Sequence, residues 1–141
     1  MLNDDQKHYL SVLREGKYPQ TQHALVRTSH HLTEACCLAV AALEFGGEIR
    51  SLGADKCGVF IEEESYNDDT YIASGSMLPP SINDRLNLTI NDNQDMAVMN
   101  DTHGFSFDEI ADTLEGYWNS AYSDLYEFNR ELELYAFIVG T

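Results

Sequence analysis

Apolar residues recur at steps of three and four over the last third of the chain: Phe107, Ile110, Ala111, Leu114, Trp118, Ala121, Tyr122, Leu125, Phe128, Leu132 and Tyr135. That period predicts one long amphipathic helix, or two joined near Gly116 or Asn119–Ser120. Ser106 and Glu109 stand in the spacing of a capping box, which marks its start. At the other end of the chain Tyr9, Val12 and Leu13 form a short apolar stripe. Asn3 is a fitting N-cap and Gly16 a fitting C′ residue for a helix over 4–15. Residues 35–45 are almost all apolar, which predicts a buried second helix, capped by Thr33 and stopped by Gly46–Gly47.

Between these helices the period shortens. Residues 57–61 read as a strand continuing into Glu62, Glu63 and Glu64. Asn67–Asp69 form a turn, and residues 70–73 return as the second arm of a hairpin. Pro79–Pro80 can open a short helix to about Leu86. Residues 88–90 and 96–99 read as short strands around a polar turn at 91–95. The expected fold is α+β in a single domain over 1–141. It has N-terminal helices, a small antiparallel sheet and a long C-terminal amphipathic helix.

Composition changes this picture through charge. The chain carries 24 acidic residues against 8 basic ones, a formal net charge of -16. Unaided grip on a nucleic-acid backbone needs Lys and Arg, so direct nucleic-acid binding is not expected. Nor is a polybasic membrane anchor. The longest mostly apolar stretch, 35–45, is far short of the ~20 residues a membrane span needs. The start shows no basic region followed by an apolar run, and the expected location is a cytoplasm. Position sharpens the charge further. Residues 1–50 hold six acidic and five basic side chains, whereas residues 51–141 hold eighteen and three. On the last helical stretch Asp108, Glu109, Asp112, Glu115, Asp124, Glu127, Glu131 and Glu133 face only Arg130. Pairs such as Asp108/Asp112 and Glu127/Glu131 repel at helical spacing, a cost of a few tenths of a kcal/mol each.

Candidate chemistry is sparser. The three cysteines, Cys36, Cys37 and Cys57, form no Cys-x-x-Cys and read as reduced, packed thiols. Asn100–Asp101 before the capped final helix, with His103 and a cysteine, can be drawn as a Cys/His/Asp arrangement. The competing reading is turn residues that satisfy backbone N–H groups. His23, His30 and His31 lack the spacing of a zinc site. Asn91, Asn93 and Asp95 start like a calcium loop, but Met96 and Thr102 stand where glycine and glutamate belong. No dinucleotide fingerprint, P-loop or nucleophile elbow is present, and no metal or cofactor is expected.

Several short segments together resemble a family of small bacteriophage and prophage proteins. These are residues 13–20 (LREGKYPQ), 36–40 (CCLAV), Leu78-Pro79-Pro80, Met99-Asn100-Asp101 and 107–112 (FDEIAD). The family pattern runs "L-x-S-G-x-Y-x-Q … C-C-L-G-V-L … L-P … L-N-D-x-x-x-x-S-F-x-E-I-A-D", and Ala39 stands where it has glycine. The resemblance spans about Leu10 to Glu115 and implies a phage origin without implying an activity.

Charge asymmetry and that resemblance together suggest a phage-encoded, non-enzymatic accessory protein acting in the host cytoplasm. Its acidic face would imitate nucleic acid and inhibit a host nucleic-acid-handling protein, such as a defence protein with a basic surface. The residues expected to bind are Asp108, Asp112, Glu115, Asp124, Glu127, Glu131, Glu62, Glu63 and Glu64. The alternative is a pocket that sequesters or hydrolyses a small nucleotide with Asn100, Asp101 and a cysteine. A virion assembly role is a third reading. The aromatic residues crowding the final helix fit either a binding hot spot or a homodimer seam.

Overall fold

The computed structural model describes residues 2–22, 26–29, 32–53, 56–62, 70–73 and 78–130. Its first element is α1 (Asp4–Glu15). Asn3 caps it: Oδ1 accepts from Gln6 N at 2.7 Å, and Gln6 Oε1 accepts from Asn3 N at 2.8 Å. The chain leaves α1 through Gly16, left-handed at φ 70°, where a side chain would be strained. Tyr9, Leu10, Val12 and Leu13 are its buried face. The same cap reaches across to α3 (Pro80–Leu86), where carbonyls near the helix end lack intrahelical partners. Asn3 Nδ2 donates to Arg85 O, and Gln6 Nε2 donates to Leu86 O.

Helix α2 (Cys37–Glu44) is buried from Cys37 through Ala42, as its apolar run requires. Thr33 does not cap it. Thr33 lies in strand β2 (Leu32–Ala35), and the N-cap is Cys36. Ala35 keeps the chain extended by donating to Pro19 O and accepting from Thr21 N, so the helix starts later than the apolar run. Gly46–Gly47 end α2 as expected. A Cβ on Gly47 would sit 2.6 Å from both Ala42 O and Val59 Cγ1, so only glycine fits.

The strands pair antiparallel. β1 (Val26–Ser29) faces β2, with Val26 opposite Ala35. β3 (Glu48–Gly53) and β5 (Thr70–Ala73) flank β4 (Lys56–Glu62). Val59 of β4 is buried against α2, next to Gly47. The described chain is nevertheless helix-rich.

Two expectations fail in the second half. Residues 88–99 are not two strands and a turn; Leu88 and Thr89 lead into α4 (Ile90–Asp101), which takes the rest. Thr89 Oγ1 accepts from Asp92 N, and Asp92 Oδ2 accepts from Thr89 N, a capping box with aspartate at its third position. The face that α4 buries includes Asp92, Asn93 and Asn100 beside Met96 and Met99, so its helical period is partly polar. Nor do the described residues form a single long C-terminal helix; of the two arrangements the apolar period allows, they show two helices with the join at Asn119–Ser120. α5 (Phe107–Trp118) ends at Asn119, and a separate helical run, α6, covers 125–130. Ser120 Oγ donates to Tyr117 O and accepts from Tyr122 N, giving the chain a non-helical partner at the break. Asp124 Oδ1 then accepts from Glu127 N at the start of α6.

Buried polar groups fix where α6 sits. Asp92 accepts three donors: Thr89 N, the Tyr117 hydroxyl at 3.2 Å, and Leu125 N at 3.0 Å. Leu125 is fully buried, and Phe128 lies against Gly116, where a Cβ would come within 3.0 Å of its Cζ. Asn93 Oδ1 accepts from Leu78 N and Asn83 Nδ2, and Asn93 Nδ2 donates to Asn83 Oδ1, which joins α3 to α4.

Candidate interaction surface

α5 turns Phe107, Ile110, Ala111, Leu114 and Tyr117 inward, so its carboxylates are left on the outer side. Asp108, Glu109 and Asp112 are exposed, and Glu115 is half-buried. The run Asp108–Asp112–Glu115 follows one helical stripe about 10 Å long. Not all of this charge points outward unused. Glu109 Oε1 accepts from Ser106 N, as the capping box predicts. Arg14 of α1 donates to Asp112 Oδ1 at 2.8 Å and to Glu115 Oε1 at 3.0 Å. Asp124 is half-buried and caps α6, whereas Glu127 is exposed. Asp108 and Glu127 are therefore the described binding candidates whose carboxylates no other described group engages. Glu63, Glu64 and Glu131 lie outside the described residues, and for Glu62 only the backbone, at the end of β4, is described.

Beside this stripe a groove of about 860 Å³ opens between α4, the turn that follows it, α5 and α6. Met99, buried, and Phe105, half-buried, give it an apolar interior. Val98 and Tyr126 line it while remaining 42% and 57% exposed. His103 stacks obliquely on Phe105 with ring centres 5.8 Å apart. The polar lining is Asp95, Thr113, Asn129 and Arg130. Asp95 has its carboxyl pushed up, first by burial and then by the charges of Asp124 and Asp92. Tyr117 is likewise pushed up, by burial first and next by Asp92.

The Asn100–Asp101 centre is organised for structure. Asn100 Oδ1 accepts from Cys37 N and Gln20 Nε2; its Nδ2 donates to Thr21 O and Asp101 Oδ1. All four hydrogen-bonding positions of the amide are filled. Burial pushes the Cys36 thiol up to about 11 despite backbone hydrogen bonds to its sulfur, and pushes Cys37 well above its usual range. Such thiols are protonated at neutral pH and poor nucleophiles. His103 is exposed and engages Phe105, so the residues drawn as a Cys/His/Asp arrangement are held by other contacts.

Asn91, Asn93 and Asp95 lie on α4 rather than in a loop; Asn91 is exposed while Asn93 is buried against Asn83. Among the described residues no group of three His, Cys, Asp or Glu side chains could hold a metal ion. No described helix is long and apolar enough to cross a membrane. His23, His30 and His31 lie outside the described residues, as does the side chain of Cys57.

Reasoning from sequence missed the groove and the role of Asp92. The signal for Asp92 was the Thr89-x-x-Asp92 spacing before a helical run. Val98 and Tyr126 carry no local signal, because they line one groove only when α6 folds back. No protein-family model, curated protein or solved structure matches the chain.

Proposed function

We propose that the chain is a phage-encoded acidic accessory protein that binds and inhibits a host nucleic-acid-handling protein in the host cytoplasm. The reading needs no cofactor and no chemistry. The observation that supports it is the set of exposed carboxylates on α5 and α6, Asp108, Asp112 and Glu127, for which Arg14 alone supplies a described ion-pair partner. Stability alone would favour interspersed lysines. A partner with a basic groove would be drawn in by the long-range field and would exchange phosphates for these carboxylates.

The test uses purified basic DNA-binding proteins of a bacterial host with duplex DNA bound. The acidic protein should displace the duplex, with an affinity that falls as salt rises. Asp108→Lys with Glu127→Lys is the informative variant, because no described group engages either carboxylate. Reversing Asp112, Glu115 or Asp124 would also break the Arg14 pair or the α6 cap. Displacement that is indifferent to salt and to the double reversal would sink the proposal. The groove is the one observation that favours a small-nucleotide pocket instead. Its neighbourhood serves a phosphate poorly, since Asp95 lies within charge range of Asp92 and Asp124 and, among the described lining residues, only Arg130 opposes them.

A further inference from the structure

The groove between α4, α5 and α6 combines features that the acidic stripe lacks. It pairs exposed apolar surface, at Val98 and Tyr126, with a carboxylate, Asp95, one helical turn from Val98. An aromatic ring and a carboxylate lining one groove suit a flat, weakly hydrated cation. Guanidinium stacks on rings and pairs with carboxylates through its planar fork, whereas an ammonium is a strongly hydrated point charge.

We propose that this groove takes an arginine side chain of the basic partner, with its guanidinium on the Tyr126 ring and the Asp95 carboxylate and its alkyl stem against Val98. The inference rests on the acidic-face reading and deepens it: the stripe attracts the partner, and the groove selects which cation anchors it. Charge complementarity favours this occupant over two others. A second copy of the chain would bring a net charge of -16 against -16. A nucleotide phosphate would meet Asp95 with Asp124 and Asp92 behind it. Arg130 also lines the groove and opposes a cation, but among the described residues the charges of Asp124 and Asp92 add to that of Asp95. The upward push on Asp95 supports the same occupant. Burial and the like charges of Asp124 and Asp92 leave its carboxylate poorly compensated, and an incoming guanidinium would relieve that.

The experiment compares labelled oligo-arginine and oligo-lysine peptides of equal length, titrated into the full chain at physiological ionic strength. The arginine peptide should bind about three- to fivefold more tightly, the range of an exposed cation–π contact. Tyr126→Ala and Asp95→Asn should each erase that preference while both peptides keep their salt-dependent binding. Tyr126→Phe keeps the ring and should keep the preference. Asp108→Lys with Glu127→Lys should weaken both peptides and leave their ratio intact. Equal affinities in the unaltered chain would overturn the groove proposal and leave the acidic face standing. So would a preference that survives Tyr126→Ala and Asp95→Asn, or displacement of the peptide by guanosine monophosphate. Binding of neither peptide would overturn both.

Discussion

Glu44 and Asp95 are carboxylates set partly into the protein, and their surroundings treat them in opposite ways. At the α1–α2 corner Glu44 has three partners. His8 Nε2 lies 2.9 Å from one oxygen, while Lys17 Nζ and the Tyr18 hydroxyl donate to the other at 2.8 and 2.7 Å. Burial alone would push its carboxyl up, but the hydrogen bonds from Lys17, Tyr18 and His8 together hold it down. At the α4–α6 corner Asp95 has acidic neighbours instead and is pushed up. The first corner resolves its charge internally; among the described residues the second sets acid beside acid. An even, solubilising acidity would not divide the molecule this way, and the division is what supports a binding role for the second corner.

The sharpest break in the comparison lies at Asp92, an acid of the second corner that is used internally. Removing it strands the Thr89 and Leu125 N–H groups and the Tyr117 hydroxyl. Asp92→Ala should lower stability by roughly 3 kcal/mol or more, seen as a lower urea midpoint. It should also loosen α6 and so reduce the groove's selectivity. Asp92→Asn keeps one acceptor and should lose less. Equal stability of Asp92→Ala and the unaltered chain would show that α6 is held by Leu125 and Phe128 alone.

The next effect belongs to Glu44. Its folded pKa lies below the unfolded value, so its contribution is present above the unfolded pKa of about 4.3. It is lost as pH falls through the folded pKa. Glu44→Gln should cost roughly 1 kcal/mol at neutral pH, since several of its partners are solvent-exposed and screened. It should also flatten the acid limb of the stability curve. An unchanged acid limb would remove Glu44 from the acid-sensitive groups.

Arg14 should matter less for stability and more for association. Its pairs with Asp112 and Glu115 are exposed, and Arg14→Ala should cost about 0.5 kcal/mol. The same change frees two carboxylates of the stripe and should raise the rate of association with a basic partner at low salt. A slower association would place Arg14 in the contact itself.

These differences explain which parts were legible from sequence. α1 and α5 were readable to their caps, because Asn3 and Ser106 act within three residues of themselves. α4 was misread because its buried face includes Asp92, Asn93 and Asn100, which satisfy partners on other elements and break the apolar period. The break at Asn119–Ser120 was one of two sites where the sequence allowed a join, but what enforces it is distant: Asp92 holding Leu125. The acidic residues were legible by type. Their use was not, since Arg14 reaches Asp112 across 98 positions of chain.

The smallest effect tests the sign of the comparison itself. Asp95 stands three residues from Asp92 on α4, where like charges cost a few tenths of a kcal/mol. Its folded pKa is raised, so ionisation at neutral pH weakens the fold, and that penalty fades as pH falls through the folded pKa. Asp95→Asn should therefore stabilise the protein by roughly 0.3 kcal/mol near neutral pH, with the gain disappearing in acid. Glu44→Gln should move stability the other way at neutral pH, so the two variants measured side by side give opposite signs. If Asp95→Asn destabilises instead, its carboxylate already has a partner within the fold. The second corner would then be as internally resolved as the first, and the groove would lose its claim on an external cation.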